Sequence, residues 1–302
     1  MYNHIMNTTS NKINSERDEL DIKQIFQTIW QGRFFIISLT SLFSIVAVLY
    51  SLYLPNIYQS NAILNSVDQQ NNGSSMGNIG ALAGLAGINV SSGSGNNSTL
   101  ALEKIVTFSF FKNNILPNIF LPDLMAMKSW DADNGLVYDD TLFNKSTKTW
   151  NKTQSVQESH KDFLELLSVS QNQMTGIIKI SIKHQSPYVA QSWAKLIVDQ
   201  LNDYFRIKDK REALLAMDYL TSQMEQTSFT EIKQVIAELL KQKMQRIALV
   251  EANEFYVFSF LDMPMVMEEK QSPSRASISI LGSVFGFLLG VLLVILRQYF
   301  KD

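Results

Sequence analysis

Two long apolar runs, one near each end of the chain, constrain this sequence more than any other feature. Residues 34–54 and residues 276–296 are each 21 residues long and contain no Asp, Glu, Lys or Arg. A helix of that length spans roughly 30 Å, which is about the thickness of the hydrocarbon core of a bilayer. A helix also satisfies its backbone polar groups internally, as lipid requires. The sequence therefore predicts two transmembrane helices, with residues 55–275 between them on one side of the membrane.

The positive charges near the two spans predict their orientation. Four Lys or Arg residues lie in the tail 1–33 and two lie in the stub 297–302, whereas none follows the first span before Lys104. Because cytoplasmic segments carry an excess of Lys and Arg, we expect both termini in the cytoplasm and the intervening domain outside it. The first run is too long for a signal-peptide core and lacks a following cleavage site, so we expect it to remain uncleaved. The charge pattern thus predicts that residues 55–275 are translocated across the membrane.

Charge and cysteine content narrow the possible partners. The segment 55–275 holds 20 Lys and Arg against 23 Asp and Glu, and the whole chain has a net charge of −2. No strongly basic face follows from this balance, so nucleic acid is excluded as an expected partner. The chain contains no Cys. Neither a disulfide nor a thiol nucleophile is therefore available to it.

Hydrophobic periodicity predicts an α+β fold for the segment between the spans. Ile178, Ile180 and Ile182 alternate with polar residues, which is typical of a half-buried strand. The last predicted strand is apolar on both faces, which indicates an interior position in the sheet. Ser98 is expected to cap a helix that runs to about residue 113. The four predicted strands cover residues 57–67, 166–170, 176–184 and 255–261.

A glycine-rich segment, residues 70–96, separates the first two predicted strands. It holds seven of the chain's 13 glycines, with a Gly/Ala patch within it. Glycine at this density is costly to order, so a loop is expected. The alternative is that the patch docks on a neighbouring surface.

Two consecutive helices are predicted to form a long hairpin. Ser186-Pro187 is a strong start signal for a helix that continues to about residue 226. The apolar stripe of this helix ends at residues 206–212, six of which are charged, so we expect the helix to leave the globular body there. Ser228 with Glu231 is a capping signal for the returning helix, which is expected to end near residue 251. The predicted division is a base of residues 55–185 and 252–275 and a helical arm of residues 186–251.

No pattern in the sequence predicts catalysis. The nucleotide-binding, zinc-protease and serine-hydrolase motifs are absent. His160 and His184 could in principle meet, but the pattern favours a solvated helix residue and a strand-end residue instead. The pair Asp139-Asp140 is typical of a solvated turn. We therefore predict no catalytic residue, no cofactor and no metal site.

The second apolar run carries a helix-association motif. Gly282, Gly286 and Gly290 recur at every fourth position and produce two overlapping GxxxG patterns. Small residues at this spacing allow close approach of two helices in lipid. The partner is either the first span of the same subunit or a neighbouring subunit, and the sequence leaves both open.

A set of short motifs follows in order along almost the whole chain. The membrane-proximal motif consists of Pro55, Tyr58, Asp262, Pro264 and Pro273, and the arm carries Leu201, Asn202, Tyr219 and Leu220. The further short motifs are Ser60 and Ala62, residues 100–103, Pro187 and Ala190, and residues 238–240. This ordered set resembles the Wzz-type polysaccharide co-polymerases, the chain length determinants of O-antigen. The resemblance implies a bacterial inner-membrane protein with a large periplasmic domain.

The resemblance implies a non-enzymatic scaffold with a periplasmic base, a protruding helical hairpin and a homo-oligomeric assembly. Its implied partners are membrane lipid, a separate polysaccharide polymerase and the growing lipid-linked glycan. An adaptor that activates a separate cytoplasmic tyrosine kinase is the alternative within the family. The six residues after the second span lead us to expect no fused kinase. A two-span sensor and an enzyme are the weaker alternatives.

Overall fold

The computed structural model describes residues 28–67, 97–253 and 255–300. The glycine-rich segment 70–96 and most of the N-terminal tail lie outside the described residues, so the predictions for them stay untested. The chain divides into two compact units, Met1–Asn56 with Ser272–Asp302, and Ile57–Gln271. A π-helical turn at Phe111–Ile115 and a 3-10 turn at Leu116–Asn118 lie between α3 and α4. The other elements, in chain order, are α1 (Arg33–Tyr53), β1 (Tyr58–Ser66), α2 (Asn97–Ile105), α3 (Phe108–Phe110), α4 (Leu121–Met125), β2 (Met127–Asp131), β3 (Gly135–Tyr138), β4 (Phe143–Asn144), β5 (Thr149–Trp150), α5 (Val156–Leu166), β6 (Leu167–Gln171), β7 (Ile178–His184), α6 (Pro187–Gln226), α7 (Thr230–Ala252), β8 (Phe258–Asp262) and α8 (Arg275–Tyr299).

The first unit is a pair of helices, α1 and α8. Both helices are long and apolar enough to cross a membrane, and they coincide with the predicted spans to within three residues at each end. They pack against one another along their length. The two apolar runs thus form one helix pair within this unit.

The second unit is built on a four-stranded sheet with the order β6-β7-β1-β8, and all three pairings are antiparallel. The predicted α+β class is confirmed. The predicted hairpin of the second and third strands is β6-β7, with Gln171 opposite Ile178. The first and last strands of the unit are neighbours, because Leu64 pairs with Phe260.

The interior position predicted for the last strand is wrong. Among the strands of the described residues, β8 pairs with β1 alone and lies at an edge of the sheet. Its Phe258 is fully buried, while the ring of Phe260 packs edge-on to Phe255 at 5.8 Å. Phe258 is covered by the core that α6 shares, and Phe260 packs on the chain before the strand, whereas Leu261 is exposed.

The core of the second unit lies between the sheet and the first half of α6. The buried face of β7 is provided by Ile178, Ile180 and Ile182, whereas Lys179 and Lys183 face outward. The start signal predicted at Ser186-Pro187 is confirmed, since the Ser186 hydroxyl accepts a hydrogen bond from the backbone N–H of Val189. The residues that α6 contributes to this core are Val189, Ala190, Trp193, Ala194, Ile197, Val198, Leu201 and Phe205.

Two helix predictions need correction. The helix predicted to be capped by Ser98 and to run to about residue 113 includes Asn97 and Ser98 and ends at Ile105, so Ser98 lies within the helix and is not its cap. A new turn starts at Phe108, capped by the Thr107 hydroxyl, which accepts from the backbone N–H of Phe110. The capping signal assigned to Ser228 is also wrong, because α7 begins at Thr230 and has no side-chain cap.

Two short hairpins, β2-β3 and β4-β5, were missed by the sequence analysis. Strands of two to five residues are too short to show a periodicity. They are held by packed aromatic rings, with Phe143 lying 5.6 Å from Tyr138 and 5.2 Å from Trp150.

Candidate functional site

The three glycines of α8 lie against α1 of the same chain. A β-carbon added at Gly286 would lie 2.7 Å from Cβ of Phe43, and one at Gly290 would lie 3.2 Å from Cα of Ile36. A β-carbon at Gly282 would overlap the side chain of Ala47. Only glycine permits an approach this close. The intrachain alternative of the sequence analysis is therefore the one seen in this unit.

The outer faces of α1 and α8 are apolar and exposed. Surfaces on which apolar side chains predominate suit contact with lipid chains. Large side chains on these faces with at least half of their surface exposed include Ile37, Leu49, Leu52, Ile280, Leu281 and Leu288.

Asn202 joins helix α6 to the start of strand β8. Its Oδ1 accepts hydrogen bonds from the backbone N–H groups of Val257 and Phe258 at 2.8 and 2.9 Å. Its Nδ2 donates to the carbonyl of Phe258 at 3.0 Å, and the residue is only 4% exposed. The adjacent Leu201 is fully buried in the core. The structure thus places Leu201 and Asn202 on the sheet, although the sequence analysis assigned both to the arm.

Asp209, about two turns further along α6 than Asn202, is the centre of a second polar cluster. Its Oδ2 accepts from Nη2 of Arg246 at 2.6 Å and from the hydroxyl of Tyr256 at 2.5 Å, and Asp209 is 5% exposed. Burial alone would lower the pKa of Arg246, but the bond to Asp209 and its charge raise it overall. Burial and the bond to Asp209 both raise the pKa of Tyr256. The three side chains therefore keep a charge-assisted network intact at neutral pH.

Two further contacts join the same segment of α6 to the end of α7. Nη2 of Arg206 donates to the carbonyl of Asn253 at 3.0 Å, and Nζ of Lys210 lies 2.5 Å from a carboxylate oxygen of Glu251. The bond from Lys210 lowers the pKa of Glu251. The charged residues 206–212, which the sequence analysis interpreted as the exit from the globular body, thus hold the returning helix.

The segment of α6 and the end of α7 that these contacts join form the root of the arm. The hairpin of α6 and α7 also carries exposed apolar side chains. Tyr219 is 64% exposed and Leu220 is half-buried. Several exposed apolar side chains on one helical hairpin are compatible with an interaction surface. Large apolar residues exposed along the hairpin include Ile207, Leu214, Leu215, Phe229, Ile232, Val235, Leu239 and Met244.

The membrane-proximal motif is divided between the two units. Pro55 and Pro273 belong to the helix-pair unit, and the other three residues belong to the sheet unit. The ring of Tyr58 packs edge-on to Trp130 at 5.4 Å. Asp262 ends β8 opposite a bulge of β1, and the carbonyl of the buried Pro264 accepts from Nε2 of Gln191 at 3.3 Å.

The segment after Pro264 runs beside the start of β1. The Ser60 hydroxyl donates to the carbonyl of Met265 at 2.7 Å, and the backbone N–H of Gln271 donates to the carbonyl of Ile57 at 2.8 Å. The beginning and the end of the sheet unit are therefore tied to each other.

The two histidines have separate surroundings. Nδ1 of His184 accepts from the backbone N–H of Ser186, and its Nε2 lies 3.0 Å from the carbonyl of Asp123. Burial lowers the pKa of His184. His160 packs on the rings of Phe108 and Phe111. Its ring is half-buried rather than solvated, because α5 lies over these phenylalanines.

The carboxylates of Asp123, Asp139 and Asp140 have different surroundings. Asp139 accepts from the backbone and hydroxyl of Thr141, which lowers its pKa, and Asp140 is exposed. Asp123 accepts a bond from Tyr138, and burial raises the pKa of both groups. Within residues 28–67, 97–253 and 255–300 no group of three or more His, Cys, Asp or Glu side chains could hold a metal ion.

Asp209 and its partners were missed by sequence reasoning. The residues are 37 and 47 positions apart in the chain, and each alone has the character of a surface charge or a loop tyrosine. The one signal was the aspartate within a mostly basic segment of an otherwise amphipathic helix.

Comparison with known proteins gives one family match. Residues 18–104 match the family model described as "Wzz: Chain length determinant protein". A stretch of 58 residues is 36% identical to tyrosine-protein kinase etk of Escherichia coli K12, and the enteropathogenic O127:H6 and the O157:H7 strains give the same figures. That stretch covers 19% of this chain and only 8% of the kinase.

Two solved structures are also similar to this chain. A full-length bacterial polysaccharide co-polymerase aligns with 91% of this chain and 97% of its own, at 11% identity and a TM-score of 0.40. A fragment of WzzB, a polysaccharide co-polymerase from Salmonella Typhimurium, aligns with 72% of this chain and all of its own, at 14% identity and a TM-score of 0.30.

Proposed function

We propose that the protein is a non-enzymatic oligomeric scaffold that sets the modal length of a surface polysaccharide. The premise is the resemblance to the Wzz-type chain length determinants, which the match of residues 18–104 confirms. The polysaccharide is O-antigen or a related glycan made by a separate membrane polymerase. The family match is the observation that carries this proposal.

The helix pair supports a membrane anchor. Two helices with apolar outer faces pack through glycines, and the sheet unit is the chain between them. We propose that α1 and α8 cross the inner membrane, with both termini in the cytoplasm and residues 55–275 in the periplasm. The charge bias near the spans supports this orientation.

The exposed arm supports self-association. Phe229 at 68%, Tyr219 at 64% and Val235 at 61% exposure leave apolar surface without a partner in the described part of one subunit. The occupant that we propose is the arm of an adjacent subunit, because a ring of identical subunits covers the same surface on every copy. Subunit packing and arm geometry would then determine how long the growing glycan remains engaged.

A second candidate is an adaptor of a cytoplasmic tyrosine kinase. The observation that favours it is the local similarity to tyrosine-protein kinase etk, which is confined to 58 residues. In that case the protein would act on a kinase in polysaccharide export and not on chain length.

Deletion of the gene, followed by electrophoresis of the cell's surface polysaccharide, tests the proposal. We expect polymer to be made without its preferred length, and we expect the wild-type gene to restore it. Immunoblotting for phosphotyrosine separates the two candidates. An unchanged ladder with reduced tyrosine phosphorylation would favour the adaptor, and an unchanged ladder with unchanged phosphorylation would contradict both.

Light scattering of the detergent-solubilised protein tests the assembly. We expect a particle of several subunits at micromolar concentration. A monomer under these conditions would contradict the scaffold.

A further inference from the structure

The charged cluster at the root of the arm holds a buried carboxylate, and one of its members, Tyr256, packs against the hydrophobic core. Asp209 is 5% exposed and lies on α6 just beyond the residues that pack on the sheet. Burial of an unpaired carboxylate is costly, so a residue of this kind is retained only with well-placed partners.

The partners of Asp209 come from two different parts of the chain. Arg246 lies on the returning helix α7, and Tyr256 lies in the segment between α7 and β8. Both donate to the same oxygen, at 2.6 and 2.5 Å. One carboxylate oxygen therefore fixes the outgoing helix, the returning helix and the chain that re-enters the sheet.

The contacts on either side repeat this connection at the surface. Arg206 bonds to the carbonyl of Asn253, and Lys210 pairs with Glu251. The Lys210–Glu251 pair is about half exposed on both sides and adds little by itself. Asp209 is the buried member of the set, and its loss leaves two donors without their acceptor.

We propose that Asp209 is a positioning residue that fixes the orientation of the helical arm on the sheet and, through it, the modal polysaccharide length. This inference rests on the proposed function for its second half only. The first half, that Asp209 holds α7, concerns the protein alone and is measured without any polysaccharide.

Asp209→Asn is the principal test variant, because it removes the charge and keeps the shape of the side chain. Asp199→Asn is its matched control, since Asp199 lies on the same helix and pairs with Lys195 at 2.6 Å on the surface. Tyr256→Phe removes one donor without changing any charge. It provides a second variant if Asp209→Asn fails to fold.

Hydrogen exchange of the full-length protein in detergent gives the first measurement. Hydrogen bonds to charged groups are the stronger ones, so we expect amides in the last two turns of α7 to exchange about 10 to 100 times faster in Asp209→Asn. The increase for Tyr256→Phe should be smaller, and Asp199→Asn should not change. Unchanged exchange in both cluster variants would overturn the inference.

The polysaccharide ladder of cells that carry each variant gives the second measurement. We expect Asp209→Asn to shift the modal length with the oligomer still assembled. Adding Arg246→Gln to it should change little more, because the pair acts as a unit. Arg246→Lys keeps the positive charge and should stay closer to the wild-type mode than Arg246→Gln.

The outcomes separate the inference from the proposed function. Faster exchange with an unchanged mode, in cells whose gene deletion does abolish the mode, would overturn the link between Asp209 and polysaccharide length, whereas the hold of Asp209 on α7 and the proposed function would both stand. A deletion that leaves the ladder unchanged would overturn the proposed function together with the length half of this inference. Additive effects of Asp209→Asn and Arg246→Gln would overturn the claim that the cluster acts as one unit.

Discussion

The three hydrogen bonds from Asn202 to Val257 and Phe258, called the Asn202 clamp below, provide the sharpest test of how the sheet unit is held together. Asn202→Ala removes three hydrogen bonds and leaves two N–H groups and one carbonyl of the β8 backbone without that partner. Each unsatisfied buried group costs about 1–3 kcal/mol. Partial relaxation and water entry reduce the sum, so we expect a loss of about 3–5 kcal/mol in the free energy of unfolding.

The loss is measured by urea unfolding of the full-length protein in detergent, followed through the fluorescence of the buried Trp193. A change of this size corresponds to roughly 6–20 °C in the melting temperature of a domain of about 200 residues. Asp203→Ala is the control, because Asp203 is the exposed neighbour on the same helix. We expect it to change the free energy by no more than about 0.5 kcal/mol.

Asn202→Asp refines the test. The carboxylate keeps both acceptor bonds, but it cannot donate to Phe258 and it buries a charge. Burial favours the protonated acid, whose hydroxyl replaces the amide donor, so the folded-state pKa should lie above the unfolded value of about 3.9. The destabilisation relative to wild type should therefore shrink as the pH falls from 8 to 5. If Asn202→Ala costs no more than the Asp203 control, or Asn202→Asp shows no such pH dependence, the hydrogen bonds of Asn202 do not stabilise the sheet unit.

Three further predictions concern the span pair, the buried histidine and the topology. Gly286→Leu should separate the spans and cost about 1–3 kcal/mol of helix-pair stability, whereas Val284→Leu on the exposed face should not. Thermal unfolding and the polysaccharide ladder in cells measure both variants, and an unchanged ladder would remove Gly286 from the functional positions. Burial lowers the pKa of His184 below its ordinary 6.5, so below that pH the unfolded chain binds more protons than the folded one. The contribution of His184 to the free energy of unfolding is therefore present above about pH 6.5 and falls by up to about 1.4 kcal/mol per pH unit as the pH drops. A His184→Gln protein with the same pH slope as wild type between 7.5 and 5.5 would refute this. A single cysteine at Ser228 should react with membrane-impermeant reagents only from the periplasmic side, since the chain has no other cysteine, and labelling from the cytoplasm would overturn the orientation.

The strands of the four-stranded sheet and the two spans could be predicted because each carries a local signal in the sequence, either an alternation or a long apolar run. The alternation of Ile178, Ile180 and Ile182 with polar residues corresponds to the observed strand, and Ser186-Pro187 starts the long helix where expected. The neighbours of β8 could not be predicted, since the apolar faces of a strand do not say whether another strand or a helix covers them.

The candidate site was only partly predictable for the same reason. The glycine spacing of α8 predicts close packing against a helix, but the spacing alone does not say which helix packs there. Asn202 was singled out within a motif, without its clamping role. The charged segment around Asp209 was taken as a departure from the core, because its acceptor role appears only when Arg246 and Tyr256 are brought to it.

The pairing of β1 with β8 has a consequence for the biogenesis of the protein. The Ser259 hydroxyl lies at hydrogen-bond distance from the carbonyl of Asn65, across 194 positions of the chain. A ribosome that adds about 5–20 residues per second needs roughly 10–40 s to make that stretch. During this interval the edge of β1 that will receive β8 has no strand beside it, and free strand edges promote aggregation. The sheet can be completed only after β8 has been made, so until then the nascent chain carries a free strand edge that a holding chaperone would be expected to cover.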